Sequence, residues 1–92
     1  MWRWCWSASE PLERAKITLK DIGIIEMHEA FAAQVLSNIQ WIGSKKIAHE
    51  KLGRSEPLGD IDPEATNLTG GSIALGHPFG ATGARIVTTV CN

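Results

Sequence analysis

A glycine-rich stretch near the end of the chain constrains the fold more than any other part of the sequence. Residues 70–85 read GGSIALGHPFGATGAR and place five glycines around a single histidine, His77. Glycine permits turns and close approaches that a side chain would forbid, and Pro78 fixes the backbone next to His77. The stretch therefore predicts a tight turn that holds an imidazole in a fixed position.

The composition sets broad limits on what the chain is. Its 92 residues are 43% hydrophobic and 21% charged, with a formal net charge of -1. These values are typical of a soluble globular segment and indicate neither a nucleic-acid partner nor a membrane surface. No apolar run approaches the ~20 residues of a membrane span, and we expect an intracellular, reducing compartment. Cys5 and Cys91 lie near opposite ends, so neither a disulfide framework nor a zinc site is predicted.

The first eight residues are atypical, with three of the four tryptophans among them. The alternation of Trp2, Trp4 and Trp6 is compatible with an exposed edge strand. We favour the hypothesis that residues 1–8 come from a mis-assigned gene start and are not native to the domain. The domain itself is then expected to span residues 9–92.

The remaining pattern predicts an α/β fold with the order strand, helix, excursion, strand, helix. A short helix capped by Ser9 and a capping box at residues 18–21 precede the first strand. The apolar run Ile22 to Met27 predicts a strand buried in a parallel sheet, because it is short and β-branched. A helix from Phe31 to Ile42, ended by Gly43, follows. Further on we predict a mostly irregular excursion over residues 44–67, with a helix through Lys46, Ala48 and Leu52 as the alternative for its beginning. A second strand over 69–75 and a helix starting at Pro78 follow.

The first chemical constellation is the segment MHEAFA, residues 27–32, at the carboxyl end of the first predicted strand. Ligands of open α/β sheets bind at such strand ends. The pair His28 and Glu29 suggests a zinc-protease motif, but that motif needs a second histidine where Ala32 stands, so it is excluded. Glu29 also has a structural explanation, because a carboxylate in the first turn of a helix is favoured by the helix dipole.

The second constellation is His77 with its glycines. If Pro78 is the first helical residue, His77 lies at the helix N-terminus, where the dipole keeps the imidazole neutral and able to accept a proton. Gly80 and Gly83 predict that another group packs closely on the first turns of this helix. A phosphate-binding loop is the competing interpretation, although the P-loop ending and the dinucleotide glycine spacing are both missing.

Taken together, the two constellations resemble the C-terminal half of the thiolases, the acetyl-CoA acyltransferases of fatty-acid β-oxidation. The resemblance rests on HEAF at residues 28–31 and on GG with GHPFGATGAR at residues 70–85, and it runs from about Leu12 to Val90. Most thiolases carry asparagine at the place of His28. The histidine form resembles the long-chain 3-ketoacyl-CoA thiolase subgroup, which comprises the β subunit of trifunctional-type complexes and its bacterial counterparts.

The resemblance implies specific roles for four residues. His77 takes the proton from a nucleophilic cysteine and helps form an oxyanion hole, and His28 holds a water that completes this hole. Ala30 and Phe31 line the channel for the pantetheine arm. The implied reaction is thiolysis of a 3-ketoacyl-CoA by CoA, with CoA as a substrate and no bound cofactor or metal. The implied parent enzyme is oligomeric, pairs with a hydratase/dehydrogenase subunit, and is cytoplasmic in a bacterium or mitochondrial in a eukaryote.

Several family features are missing from the sequence. The nucleophilic cysteine belongs to the N-terminal half and the second catalytic cysteine to a later Cys-x-Gly turn, and neither Cys5 nor Cys91 matches these settings. A glycine common in the family is replaced by Lys16, and an asparagine by Thr69. We therefore expect an incomplete C-terminal part of a thiolase that is inactive on its own.

Other interpretations remain open. The chain could be a non-catalytic remnant that binds CoA or an intact thiolase chain, or an unrelated small phosphate-binding module. His28 could simply cap backbone groups, and Phe31 could belong to the core as well as to a ligand wall. Arg85 is compatible with a solvated helix face, and His49 and Trp41 with surface or helix-packing positions.

Overall fold

The computed structural model describes the backbone of residues 2–92 and the side chains of residues 7–92. Within residues 2–92 the elements in chain order are five α-helices and two short 3₁₀ turns. The helices are α1 (Trp2–Ala15), α2 (Ala32–Ile42), α3 (Lys45–Leu52), α4 (Ser72–Leu75) and α5 (Thr82–Cys91), and the 3₁₀ turns are Leu19–Asp21 and Pro63–Ala65.

Both predicted strands are wrong, because the described part of the chain contains no β-strand. The run Ile22–Met27 is extended, but it pairs with another segment only at the parallel bridge between Ile25 and Thr66. A parallel strand needs neighbours along its whole length, and residues 2–92 supply them at one position. The second predicted strand instead forms the short helix α4, so the α/β expectation fails in these residues.

The predicted middle helix is confirmed as α2, which ends at Ile42 just before Gly43. The alternative of a helix at the beginning of the excursion is confirmed as α3. This helix begins after Ser44, whose hydroxyl accepts a hydrogen bond from the Ile47 amide at 3.4 Å. Gly53 ends α3 with φ = 64°, the left-handed conformation that favours glycine at a helix C-terminus.

The start of the chain differs from prediction. Helix α1 begins at Trp2, so the backbone of the tryptophan segment is helical and the edge-strand interpretation is wrong. Ser9 lies buried within this helix and does not cap it. The helix ends just before Lys16, which has φ = 57°. This conformation is strained for lysine and explains physically why glycine suits the position.

The capping box predicted at residues 18–21 is confirmed. The carboxylate of Asp21 accepts hydrogen bonds from the Thr18 amide at 2.7 Å and from its hydroxyl at 3.0 Å. These two bonds lower the pKa of Asp21, the backbone bond contributing most.

The last helix starts later than predicted. Residues 78–81 form a turn in which the Pro78 carbonyl accepts from the amides of Ala81 and Thr82, and α5 begins at Thr82. His77 is therefore five residues before the first helical residue and is not an N-cap. The helix-dipole argument for its neutral state does not apply to this geometry.

The chain divides into two compact units. The first comprises residues 2–23 with Leu36–Ile61, and most of its buried residues are apolar: Leu12, Ile42, Ala48, Leu58 and Ile61, with the polar Ser9 and Asn38 also buried. The second comprises Ile24–Val35 and Asp62–Asn92. Its buried residues include one large apolar side chain, that of Met27, together with Asn67, Ser72 and Thr82. Hydrogen bonds therefore contribute much of what holds the second unit together.

Among the helices described, none is long and apolar enough to cross a membrane.

The second unit exposes large apolar side chains, and this leads to a prediction for the isolated chain. Phe79 is 89% exposed and Phe31 72%, and the other exposed residues of this kind in the unit are Ile24, Leu68, Ile73, Leu75, Val87 and Val90. Because such a surface favours association, we expect the 92-residue chain to be marginally stable and to self-associate. Sedimentation and thermal unfolding over a range of concentrations test this. A monomer that unfolds cooperatively at every concentration would contradict it.

Candidate functional site

The candidate site lies within the second unit and is built on Asn67. The side-chain amide of Asn67 pairs with the backbone of Met27 as a strand would. Its Oδ1 accepts from the Met27 amide at 2.7 Å, and its Nδ2 donates to the Met27 carbonyl at 2.9 Å. The Asn67 backbone amide also donates to the Ile25 carbonyl at 3.0 Å. With φ = 54°, Asn67 occupies the left-handed region, which asparagine tolerates better than most residues. These bonds fix the backbone immediately before His28.

Glu29 links this segment to α4. Its Oε1 accepts from Asn67 Nδ2 at 2.7 Å, and its Oε2 accepts from the Ile73 amide in the first turn of α4 at 3.1 Å. A carboxylate that receives two N–H donors in a partly buried position is well satisfied. Glu29 therefore acts as a structural clamp between the two motifs that the sequence analysis singled out.

The clamp formed by Glu29 requires a glycine at position 71. A Cβ atom built on Gly71 would lie 2.4 Å from the Glu29 carboxylate and 2.6 Å from Asn67 Nδ2. No real Cβ contact is that short, so the backbone approaches Glu29 only because residue 71 lacks a side chain. Close packing against the glycine-rich stretch thus occurs at Gly71. At Gly80 and Gly83, where it was expected, the described residues leave the space open.

The two histidines come together in this unit. The ring centroids of His28 and His77 are 4.2 Å apart, with a 45° angle between the ring planes. Phe79 also packs against His77, with the two ring centroids 4.9 Å apart. The structure therefore places the two sequence constellations at one location, although the histidines are far apart in the chain. His28 is half-buried and His77 is exposed.

Each histidine is held by a buried hydroxyl group at its Nδ1 atom. His28 Nδ1 lies 2.8 Å from Ser72 Oγ, and His77 Nδ1 lies 2.7 Å from Thr82 Oγ1. Both hydroxyl residues are buried, so water does not replace these contacts. The arrangement leaves the Nε2 atom of each ring for other partners. An imidazole nitrogen that carries a lone pair can accept a proton or orient a water molecule.

A buried ion pair ties α5 to the extended segment. Arg85 Nη1 lies 3.8 Å from Glu26 Oε2, and the side chains are 22% and 4% exposed, respectively. The prediction of a solvated helix face for Arg85 is therefore wrong. The pair has no close hydrogen bond, so it contributes charge complementarity more than directional bonding.

The two residues predicted to line a substrate channel lie just before α2. Ala30 and Phe31 are exposed, and the Phe31 carbonyl accepts the first helical hydrogen bonds from Gln34 and Val35 at 3.2 Å. The high exposure of Phe31 excludes a core position within this chain. Within the described residues, no group of three His, Cys, Asp or Glu side chains is arranged to hold a metal ion.

Sequence reasoning missed four of the residues that build the site: Asn67, Ser72, Thr82 and Glu26. Asn67 carried a usable signal, because an asparagine shortly before a glycine pair often occupies a left-handed turn position. Ser72 and Thr82 carried no such signal, since hydroxyl residues are common at helix starts.

Comparisons with known proteins identify the family of the chain. A family model described as "Thiolase, C-terminal domain" matches residues 5–92. The chain is 59% identical over 81 residues to a 3-ketoacyl-CoA thiolase of Shewanella frigidimarina, a match that covers 88% of this chain and 19% of the relative. It is 60% identical over 80 residues to that of Shewanella denitrificans, covering 87% of this chain and 18% of the relative. The chain thus spans less than one fifth of the length of these relatives. The chain belongs to the thiolase family, and it matches the C-terminal domain of that family.

Proposed function

We propose that this chain is part of a 3-ketoacyl-CoA thiolase, which cleaves a 3-ketoacyl-CoA with CoA into acetyl-CoA and a shortened acyl-CoA. The observation that carries the proposal is the pair of histidines, His28 and His77, with rings 4.2 Å apart and each Nδ1 held by a hydroxyl. The names of the relatives supply the reaction class.

In the proposed reaction, a cysteine from the rest of the enzyme loses its proton to His77 Nε2 and attacks the 3-keto carbonyl carbon. The carbon–carbon bond between the keto carbon and the acetyl-CoA unit breaks, and the enolate of acetyl-CoA takes up a proton from an acid in the rest of the enzyme, which leaves the acyl group on the cysteine. The CoA thiol then loses its proton to a base of the enzyme and attacks the acyl-cysteine thioester, which releases the shortened acyl-CoA and the cysteine. His77 N–H and a water oriented by His28 stabilise the oxyanions that form in these steps.

The substrate side of the proposal concerns Ala30 and Phe31. Their exposed positions beside His28 suit contact with the slender pantetheine arm of CoA, which needs apolar walls. The histidine at position 28 supports assignment to the long-chain, trifunctional β-type subgroup, which would pair with a hydratase/dehydrogenase subunit. Because the relatives are bacterial, we propose a cytoplasmic location.

A chimera tests the proposed function. Residues 12–92 of this chain would replace the matching segment of the Shewanella frigidimarina enzyme, and thiolysis of short- and long-chain 3-ketoacyl-CoA would be measured by acetyl-CoA release. We expect the chimera to be active and His77→Asn to lower its kcat by about 10²–10⁴-fold, the usual contribution of a general base. An active chimera whose rate does not depend on His77 would refute the proposal.

The isolated chain provides the complementary measurement. Without a matching nucleophilic cysteine, we expect no acetyl-CoA release from the 92-residue chain. Calorimetric titration with CoA then distinguishes an inert part of an enzyme from a remnant that still binds CoA.

A further inference from the structure

We propose that Thr82 is a positioning residue that fixes the tautomer of His77, holding the proton on Nδ1 and leaving Nε2 as the proton acceptor. The proposal starts from the two contacts of one hydroxyl group. Thr82 Oγ1 lies 2.7 Å from His77 Nδ1 and 3.2 Å from the Pro78 carbonyl oxygen. Thr82 is only 4% exposed, so these two groups, and not bulk water, determine how its hydroxyl is oriented.

Counting hydrogens decides between the two tautomers. A hydroxyl group has one hydrogen to donate, and a carbonyl oxygen has none. If the hydroxyl hydrogen of Thr82 points to Pro78 O, a lone pair of Thr82 Oγ1 accepts from His77 Nδ1–H, and both contacts are hydrogen bonds. If it points to His77 Nδ1, two oxygens face each other at 3.2 Å with no hydrogen between them. The first arrangement makes two hydrogen bonds at the Thr82 hydroxyl where the second makes one, and it is the one we assign; the Pro78 carbonyl also accepts from the amides of Ala81 and Thr82.

A second threonine in α5 shows the same preference without a histidine. The Thr88 hydroxyl donates to the Ala84 carbonyl, four residues earlier, at 2.8 Å. Thr82 stands in the same relation to Pro78. A bond from a helical threonine to the carbonyl four residues back is a common pattern. The donor direction assigned to Thr82 is therefore the one that this helix also shows at Thr88.

The consequence concerns the proton-accepting atom, and in this respect it rests on the proposed function. With Nδ1 protonated, Nε2 carries the lone pair that receives the thiol proton: the S–H bond breaks and an Nε2–H bond forms. Thr82 neither gains nor loses a proton in this step. Its bond from Nδ1–H is kept in both the neutral and the protonated ring, so no hydroxyl has to rotate during catalysis. The opposite tautomer would place the proton on Nε2 and block it.

Nitrogen NMR of the chain tests the tautomer directly. The 92-residue protein, labelled with ¹⁵N-histidine, would be studied as a frozen dilute solution at about pH 8.5, roughly two units above the ordinary pKa of histidine. The chain has three histidines, and variants His49→Gln and His28→Gln assign their signals. We expect His77 to carry its proton on Nδ1. A wild-type His77 protonated on Nε2 would overturn the proposal.

Three variants separate positioning from a general structural role. Thr82→Val keeps the shape but removes the hydroxyl, and we expect His77 to shift toward the Nε2-protonated form. Thr82→Ser keeps the hydroxyl and is expected to retain the wild-type tautomer. Thr88→Val is the matched control, because it removes the same kind of bond from the same helix away from His77. An unchanged tautomer in a folded Thr82→Val, or a change in Thr88→Val, contradicts the proposal.

The outcomes also distinguish this proposal from the proposed function. The tautomer is measured without substrate or cysteine, so an inactive chimera leaves the assignment of Thr82 intact. An active chimera with His77 protonated on Nε2 would refute only the role of Thr82. If Thr82→Val does not fold, the wild-type spectrum and Thr82→Ser still decide the tautomer.

Discussion

Replacing Gly71 by alanine is expected to break the clamp between Glu29 and Asn67 and to destabilise the second unit by at least about 2 kcal/mol. The added Cβ would lie 2.4 Å from the Glu29 carboxylate and 2.6 Å from Asn67 Nδ2, far inside van der Waals contact. Either the carboxylate leaves its two N–H donors or the backbone of residue 71 moves away, and both changes displace α4. Urea denaturation of the chain at low concentration, followed by circular dichroism, measures the loss.

The chain offers a matched control for this substitution. Gly83 lies in α5, and a Cβ there meets no atom of the described chain within 4 Å. Gly83→Ala is therefore expected to stabilise the helix by up to about 1 kcal/mol, because alanine is the better helix former. If Gly71→Ala is tolerated as well as Gly83→Ala, the clamp does not determine the stability of the unit.

The displacement of α4 would also reach the histidines. Ser72, whose hydroxyl contacts His28, directly follows Gly71 and is the first residue of α4. In the chimera we therefore expect Gly71→Ala to lower thiolysis together with stability. A variant with wild-type stability but lost activity would assign the glycine a direct role in substrate contact instead.

The candidate site was predictable from the sequence to the extent that its chemistry is carried by unusual residues. His28 and His77 stand out because each lies in a short, distinctive motif, and the structure brings their rings to 4.2 Å. Helix α2 was equally predictable, because the helical spacing of its apolar residues and the glycine that follows it indicate the same element. These features depend on local pattern, which a sequence displays directly.

What the sequence did not show is how the extended segment before His28 is held. An apolar run such as Ile22–Met27 predicts a strand, yet its main partner here is the side chain of Asn67, which satisfies both backbone groups of Met27. When a side chain takes the place of a neighbouring strand, the partner is a single polar residue. Such a residue produces no hydrophobic periodicity in the sequence. The same holds for α4, where a carboxylate 44 positions earlier satisfies the Ile73 amide.

The start of α5 illustrates a different limit. Pro78 is favourable at the first position of a helix, so the sequence predicted the helix there. In the structure, the carbonyl of Pro78 closes a turn and the helix begins later, at Thr82. Because the helix begins later, His77 does not lie at the helix N-terminus. Its Nδ1 atom instead contacts the hydroxyl group of Thr82. Boundaries of this kind depend on tertiary contacts, which local propensity does not encode.

Asn67→Asp is expected to destabilise the second unit by about 3 kcal/mol near neutral pH, because it removes the hydrogen-bond donor at the centre of the site. Aspartate has the same shape and also tolerates the left-handed backbone at φ = 54°, so the substitution replaces the donor by a charged acceptor without changing the size of the side chain. One carboxylate oxygen can still accept from the Met27 amide. The other would replace Nδ2, which lies 2.7 Å from Glu29 Oε1 and 2.9 Å from the Met27 carbonyl, and would repel both.

The sign of the pH dependence follows from the same geometry. When one of the two carboxyl groups is protonated, an O–H donor again lies between them. The folded variant then binds a proton that the unfolded chain does not hold at the same pH, so the variant should recover stability as the pH falls. The wild-type chain, which already has the Asn67 donor, should show no such recovery.

A double-mutant cycle with Glu29→Gln separates the charge repulsion from the rest of the effect. When Asn67→Asp is combined with Glu29→Gln, the new amide can donate to the introduced carboxylate, and we expect part of the lost stability and most of the pH dependence to disappear. Additive losses in urea denaturation would show that Asn67 and Glu29 act independently. Non-additivity would establish that Asn67 and Glu29 are energetically coupled, so that the amide that holds the backbone before His28 also supports the carboxylate that holds α4.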